Sequence, residues 1–265
     1  MRCLAAICLI AICLIAATTA MMMGDVVAQT TAGSIATFPE TGTYKTDKLG
    51  AIRVWGLGGQ PQSAEKSYSI GLMHDVLRLE ARQGDRRQKP SEIKREIERS
   101  EVSFPGNPFE FGKTYHLVFD ILFEAGEPGL ARNDKFFQIH NVKDRGEVDL
   151  GPAFALQLER DRMRAVVRWD ANARSKARAE DHWVFEDTMK IQRNHWYAFD
   201  LTIRFDPSGK GLAVVKRDGV QIVDYRGPLG YNDEQPPYFK VGIYRDTQPD
   251  AQARRYRRLT MTKID

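Results

Sequence analysis

From Asp75 onward, apolar and polar residues alternate over short runs, a period of two that puts one set of side chains on each face of a β-strand. The alternation predicts strands over residues 75–82, 115–124, 135–141, 153–160, 163–169, 196–205, 211–216 and 238–245. Turn chemistry separates several of them: Asp206-Pro207-Ser208-Gly209, Arg217-Asp218-Gly219 and Gly227-Pro228-Leu229-Gly230. Polar stretches at 83–94, 143–150, 171–181 and 226–237 read as loops around the sheet edges. One segment is ambiguous. Ile93 and Ile97 stand four apart among Glu, Lys and Arg, as on an exposed helix, but the reading adopted is a polar loop that becomes strand near Arg95. Many short strands separated by turns, without internal repeats, are the sequence form of a β-sandwich or jelly roll.

The N-terminus breaks this pattern. Met1-Arg2 precedes an apolar run from Cys3 to Ala17 and then small residues, the order of a secretory signal peptide. The run is shorter than the roughly 20 residues a spanning helix needs, so cleavage rather than anchoring is expected. Ala28 is the expected cleavage point, with Ala20 competing. The organisation that follows is a signal peptide over residues 1–28 and one β domain over 29–265, secreted or periplasmic and free of the membrane after cleavage. All three cysteines (Cys3, Cys8 and Cys13) fall in the removed segment, which excludes disulfides and thiolate metal sites from the mature chain. Arg2 and Asp25 leave together, so the formal net charge stays at +4. That mild excess suits an anionic polymer and falls far short of the balance of a dedicated nucleic-acid binder.

Three strand segments carry polar residues at every second position, which gathers them on one face. The first is Glu98-Arg99-Ser100-Glu101-Val102. In Phe136-Phe137-Gln138-Ile139-His140, Gln138 and His140 share a face while Phe137 and Ile139 point inward. In Tyr238-Phe239-Lys240-Val241-Gly242-Ile243-Tyr244-Arg245, Tyr238, Lys240 and Tyr244 oppose Phe239, Val241 and Ile243. In this order, Arg99-Ser100-Glu101-Val102, Gln138-Ile139-His140 and Tyr238 to Tyr244 resemble the three signature segments of the jelly-roll alginate lyases. The ending Ile243-Tyr244-Arg245 is closer to heparin lyase I and its relatives, and residues 78–85 and 151–156 extend the likeness. The chain thus resembles the jelly-roll polysaccharide lyase superfamily, with heparin lyase I-like, alginate lyase-like and glucuronan lyase-like features over most of residues 50–260.

The resemblance implies an all-β, concanavalin A-like jelly-roll sandwich of two antiparallel sheets with a concave substrate cleft, and β-elimination on a uronate polymer. Such a reaction must neutralise the C6 carboxylate so that the C5 proton becomes acidic, a task assigned to Arg99 and Gln138. It must also move a proton from C5 and deliver one to the departing O4, a task assigned to His140 and Tyr244. Which of the two is the base depends on the C5 epimer. Lys240 is expected to ease ionisation of the phenol or to hold the carboxylate, Glu101 to orient Arg99, and Tyr238 either to stack on sugar or to cover the sheet. Arg78, Arg82 and Arg245 complete the expected substrate-binding set, although Arg78 and Arg82, which share a face with Glu80, read equally as a solvated outer face, and Gly242 is expected to leave room for a sugar ring near the backbone.

No cofactor is required, and the likeness admits a structural calcium ion. The implied partner is an anionic polysaccharide: a glucuronate-containing chain, a heparin-like chain, alginate or a bacterial exopolysaccharide. A monomer is expected. Val241 and Arg245 depart from the alginate pattern and favour a glucuronate-containing polymer.

Other residues read more plainly. His74, His116, His182 and His195 have no partner at meaningful spacing and read as surface or satisfied groups. Trp55, Trp169, Trp183 and Trp196 read as core, unless one near a loop forms a sugar platform. The run Arg254-Arg255-Tyr256-Arg257-Arg258 reads as a charged edge strand rather than a polymer patch. A sandwich-fold glycoside hydrolase is suggested by Glu147-Val148-Asp149-Leu150, but Pro152 stands where a third carboxylate is needed. A non-catalytic carbohydrate-binding domain on the same fold would need no converging His, Tyr and Arg.

Overall fold

The computed structural model describes residues 52–87 and 89–265. The expected signal peptide and its cleavage sites lie outside the described residues. Among the described residues, sixteen strands form two sheets, accompanied by one short helix. The first runs in the order β1 (Ile52–Val54), β2 (Leu57–Ser63), β5 (Ile97–Ser103), β15 (Tyr238–Asp246), β7 (Asp134–His140), β8 (Phe154–Glu159), β9 (Arg162–Val167) and β11 (His182–Lys190). The second runs β10 (Trp169–Asp170), β14 (Val220–Tyr231), β13 (Asp206–Arg217), β12 (Trp196–Arg204), β6 (Thr114–Phe123), β16 (Gln252–Lys263), β4 (Val76–Ala81) and β3 (Ile70–Met73). Every pairing is antiparallel except the two-residue β10–β14 contact. The expected jelly-roll sandwich is therefore the fold. Among the described residues, no helix is long and apolar enough to cross a membrane.

The inward residues of both sheets build one core. Phe119 on β6 stacks on Phe137 of β7 at 5.0 Å and on Phe199 of β12 at 5.2 Å, so aromatic rings bridge the two layers. Phe239 and Val241 of β15 enter the same core, which turns Tyr238, Lys240 and Tyr244 outward.

The structure corrects four local expectations. Residues Pro90–Lys94 form a one-turn helix, α1, rather than loop, with Pro at its start and Ile97 buried where the strand begins. The expected turn at 227–230 lies inside β14, and that at 206–209 lies inside β13. Gly211 there meets Gly227 so closely that an added Cβ would lie 2.5 Å from its carbonyl oxygen. The arginine run occupies β16, an interior strand between β6 and β4 and not an edge. Its charges are absorbed by acidic partners: Arg254 pairs with buried Asp134 of the first sheet, Arg255 with Glu124, and Arg257 and Arg258 with Asp120 of β6. Finally, none of the four tryptophans is fully buried. Trp169 stacks on His182 at 4.0 Å, and Trp196 lies under the Arg257 guanidinium.

Candidate active site

The outward face of the first sheet floors a cleft of about 860 Å3. Arg99 comes from β5, Tyr238, Lys240 and Tyr244 from β15, Gln138 and His140 from β7, Gln157 from β8, Arg164 from β9 and Trp183 from β11. The alternation that puts phenylalanines in the core puts these polar groups on one floor. Six of the expected residues are direct cross-strand neighbours: Tyr244 faces Arg99, Lys240 faces Gln138, and Tyr238 faces His140.

Arg99 is buried and firmly held. Its Nη1 donates to Gln62 Oε1 at 3.0 Å and lies 3.1 Å from Glu92 of α1, while its Nε lies 3.4 Å from Glu101. Glu101 also accepts from Gln138 Nε2 at 2.5 Å, so it orients both expected carboxylate neutralisers. Gln138 keeps its second amide hydrogen for other use. Lys240 reaches Gln62 at 3.4 Å and sits 5.6 Å from the Tyr238 ring rather than against Tyr244. Burial pushes its ammonium down to about 8.

His140 Nδ1 lies 3.1 Å from the Asn141 carbonyl. A carbonyl only accepts, so this contact fixes the proton on Nδ1 and leaves Nε2 with a lone pair. Burial, helped by Lys240, holds the imidazole down to about 3, so it is neutral at ordinary pH, with Nε2 unprotonated. Tyr244 lies under Arg99, whose Cζ is 4.6 Å from the ring centroid, and under Lys135, whose Nζ is 5.2 Å away. Burial raises its phenol above the ordinary value, and Arg95 and Arg99 oppose that rise.

Three expected substrate contacts lie elsewhere. Arg245 is fully buried on the opposite face of β15 and paired with Glu98, itself 0% exposed, through a 2.8 Å contact. Arg78 on β4 belongs to the second sheet and forks onto Glu124 at 2.8 and 2.9 Å. Arg82 covers the Tyr68 ring and bonds Glu80. Neither of these lines the cleft. Among the other histidines, His116 pairs with Asp200 and His195 packs on Tyr197.

Gly242 serves the backbone rather than a sugar. Its φ is +139°, and an added Cβ would meet the Ser100 carbonyl oxygen and, at 2.6 Å, Glu101 Cα of β5. Tyr256 Oη bonds both its N–H and its carbonyl from below, each at 3.1 Å. Gly242→Ala is expected to disrupt the β5–β15 pairing and destabilise the fold by at least about 2 kcal/mol, read as a lower midpoint in urea unfolding. An unchanged midpoint would show that β5 can yield.

The polar pattern missed Gln62, Glu92, Lys135 and Trp183. Trp183 is 38% exposed at the cleft edge, with the Arg164 guanidinium 3.7 Å over its ring.

Beside the cleft, the carboxylates of Asp144, Glu147 and Asp233 approach one another within 4.8 Å, all buried. Glu147 sits in a loop, where it accepts from the backbone N–H of Asp144 and Ser175, not on a hydrolase-like strand. Burial, with Glu147 and Asp144 adding to it, pushes Asp233 up to about 7, and its Oδ1 has no hydrogen-bond partner. A buried all-oxygen set with excess negative charge fits a hard divalent cation.

A family model described as polysaccharide lyase matches residues 74–257, spanning all three polar segments. No curated protein matches the chain. Among solved structures, endo-β-1,4-glucuronan lyase from the fungus Trichoderma reesei superposes with TM-score 0.59 at 13% identity, covering 78% of this chain and 87% of its own. Alginate lyase AlgAT5 of polysaccharide lyase family 7 gives 0.52 at 14%, covering 76% and 85%. Alginate lyase A1-II′ of the same family gives 0.53 at 15%, covering 76% and 85%. At these identities the likeness is one of fold, and it is the jelly roll described above. The family match extends over well more than half of the chain, and on that ground the protein belongs to the polysaccharide lyase family.

Proposed function

We propose that this lyase cleaves a glucuronate-containing polysaccharide by β-elimination on the floor of the first sheet. The observation that carries the reading is the meeting of a carboxylate-binding pair, Arg99 and Gln138, with a neutral imidazole and a phenol in one cleft. Arg99 and the free amide hydrogen of Gln138 take the C6 carboxylate and the charge that develops on it as C5 loses its proton. The electron pair of the C5–H bond forms the C4–C5 double bond, the C4–O4 bond breaks, and O4 receives a proton. In D-glucuronate the C5 hydrogen and O4 lie on the same side of the ring, so Tyr244 serves both transfers while His140 polarises the site. Where they lie on opposite sides, His140 Nε2 is the base and Tyr244 the acid.

Two findings on other proteins agree with this reading. The Trichoderma enzyme acts on glucuronan. A family 7 alginate lyase with one histidine and one tyrosine replaced is solved in complex with substrate. The test is ultraviolet absorbance of unsaturated uronate ends while the purified protein acts on glucuronan, alginate and a heparin-like chain. A rise on glucuronan supports the proposal. A rise on alginate alone overturns the substrate, and polymer binding without product turns the reading to a carbohydrate-binding domain.

We also propose that Asp144, Glu147 and Asp233 hold calcium. Bound there, the ion would neutralise three crowded carboxylates, and the loops that carry them would be tied along the cleft. Saturating calcium is expected to raise the melting temperature by roughly 5–10 °C over chelated protein, and Asp233→Asn to remove that dependence. Equal melting with calcium and with chelator would sink the site.

A further inference from the structure

Lys135 has the backbone neighbours of a core residue and the surroundings of a catalytic one. Strict alternation from Gln138 and His140 would turn it away from the cleft. The strand is not regular: Lys135 pairs with Gln157 and Phe137 with Leu156, so two steps of β7 oppose one of β8. This bulge sends both Phe136 and Phe137 into the core and returns Lys135 to the cleft floor. There it is the direct register partner of Tyr244, on the side away from Arg99.

The side chain is only 7% exposed. Its ammonium donates to Asn133 Oδ1, and Asn133 is in turn held by Asp246 through bonds of 3.1 and 3.4 Å. No carboxylate lies within ion-pair distance of it among the described residues. A buried ammonium without an ion pair is unfavourable, and an apolar residue would fill this place more stably. The charged groups around it are Arg168, Glu101, Asp246 and Arg178, and those around Tyr244 are Arg95, Arg99, Glu101 and Glu92.

We propose that Lys135 is a positioning residue of the reaction, whose ammonium clamps the Tyr244 ring against Arg99 and favours the phenolate that proton transfer requires. This rests on the elimination reading above. The phenolate ring is richer in electrons than the phenol ring, so a cation over its face attracts it more strongly. Tyr244 must pass through that form whether it takes the C5 proton or gives one to O4, so cations on both flanks lower the barrier. Burial also brings the ammonium down to about 8, with Arg168 assisting, so the clamp fails as pH rises through that value.

The experiment compares kcat, KM and their pH profiles for the wild type, Lys135→Met and Lys135→Arg on the polymer that wild type cleaves. Lys135→Met is expected to lower kcat about tenfold with KM changed less than about twofold. Lys135→Arg keeps a permanent charge, so it is expected to recover most of kcat and to carry activity to higher pH than wild type. Unchanged kcat in Lys135→Met overturns the proposal. So does a raised KM at constant kcat, which would make Lys135 a simple ligand of substrate carboxylate. If Lys135→Met fails to fold, Lys135→Gln, which retains a donor for Asn133, is judged by the same criteria. A wild type that forms no unsaturated product on any uronate polymer removes the elimination reading and this role with it, whereas an active wild type with an indifferent Lys135 removes only the latter.

Discussion

Replacing Tyr244 with Phe is expected to lower kcat by about a thousandfold while KM stays within about threefold. The substitution removes one oxygen and leaves the ring between Arg99 and Lys135, where both cations still pack on it. Among the described residues the hydroxyl holds nothing else in place, so the loss falls on proton transfer rather than on the fold. Initial rates of unsaturated product over a range of polymer concentrations separate the two parameters. A variant that keeps more than about a tenth of wild-type kcat would move the acid–base role to another group. Under that outcome His140, with its lone pair on Nε2, becomes the first candidate for both steps.

Glu98→Ala is expected to destabilise the protein by about 3–5 kcal/mol, because it leaves the Arg245 guanidinium buried without its counter-charge. Glu98 Oε2 takes Arg245 at 2.8 Å, and its other oxygen accepts from the backbone of Gly84 at 2.7 Å and from Thr247 Oγ1 at 2.6 Å. Three elements therefore lose an anchor together. For a domain of this size the melting temperature is expected to fall by roughly 6–20 °C. The double variant Glu98→Ala/Arg245→Met is expected to regain part of the loss, since it removes the orphaned charge. A small thermal shift accompanied by a raised KM would instead restore Arg245 as a substrate ligand.

Much of the site was legible because a strand has a period of two. Gln138 with His140, and Tyr238 with Lys240 and Tyr244, keep that period, and the core positions of Phe239 and Val241 confirm the assignment of faces. Where the period breaks, sequence reasoning breaks with it. The bulge at Phe136 hides Lys135 from the alternation, and the space that Gly242 suggests for a sugar belongs to β5. Arg245 adjoins Tyr244 in the motif, but its parity places it on the opposite face of the strand.

The arginines of β16 looked like an edge because charge is usually expelled from interior strands. Their partners Asp134, Glu124 and Asp120 lie more than a hundred positions away, and no local pattern could pair them. The missed strands β2 and β14 carry Gly and Pro, which weigh against strand until neighbouring chains are known. The cluster of Asp144, Glu147 and Asp233 is likewise assembled from two distant loops.

The central claim is that this cleft breaks the polymer by elimination and not by addition of water. It is tested most directly by digesting glucuronan in water enriched in heavy oxygen and weighing the oligosaccharides by mass spectrometry. The account predicts fragments lighter than hydrolysis products by one water molecule, carrying no heavy oxygen and absorbing as unsaturated uronates. Fragments of full mass that carry the heavy oxygen at the new reducing end would contradict it and make the protein a hydrolase.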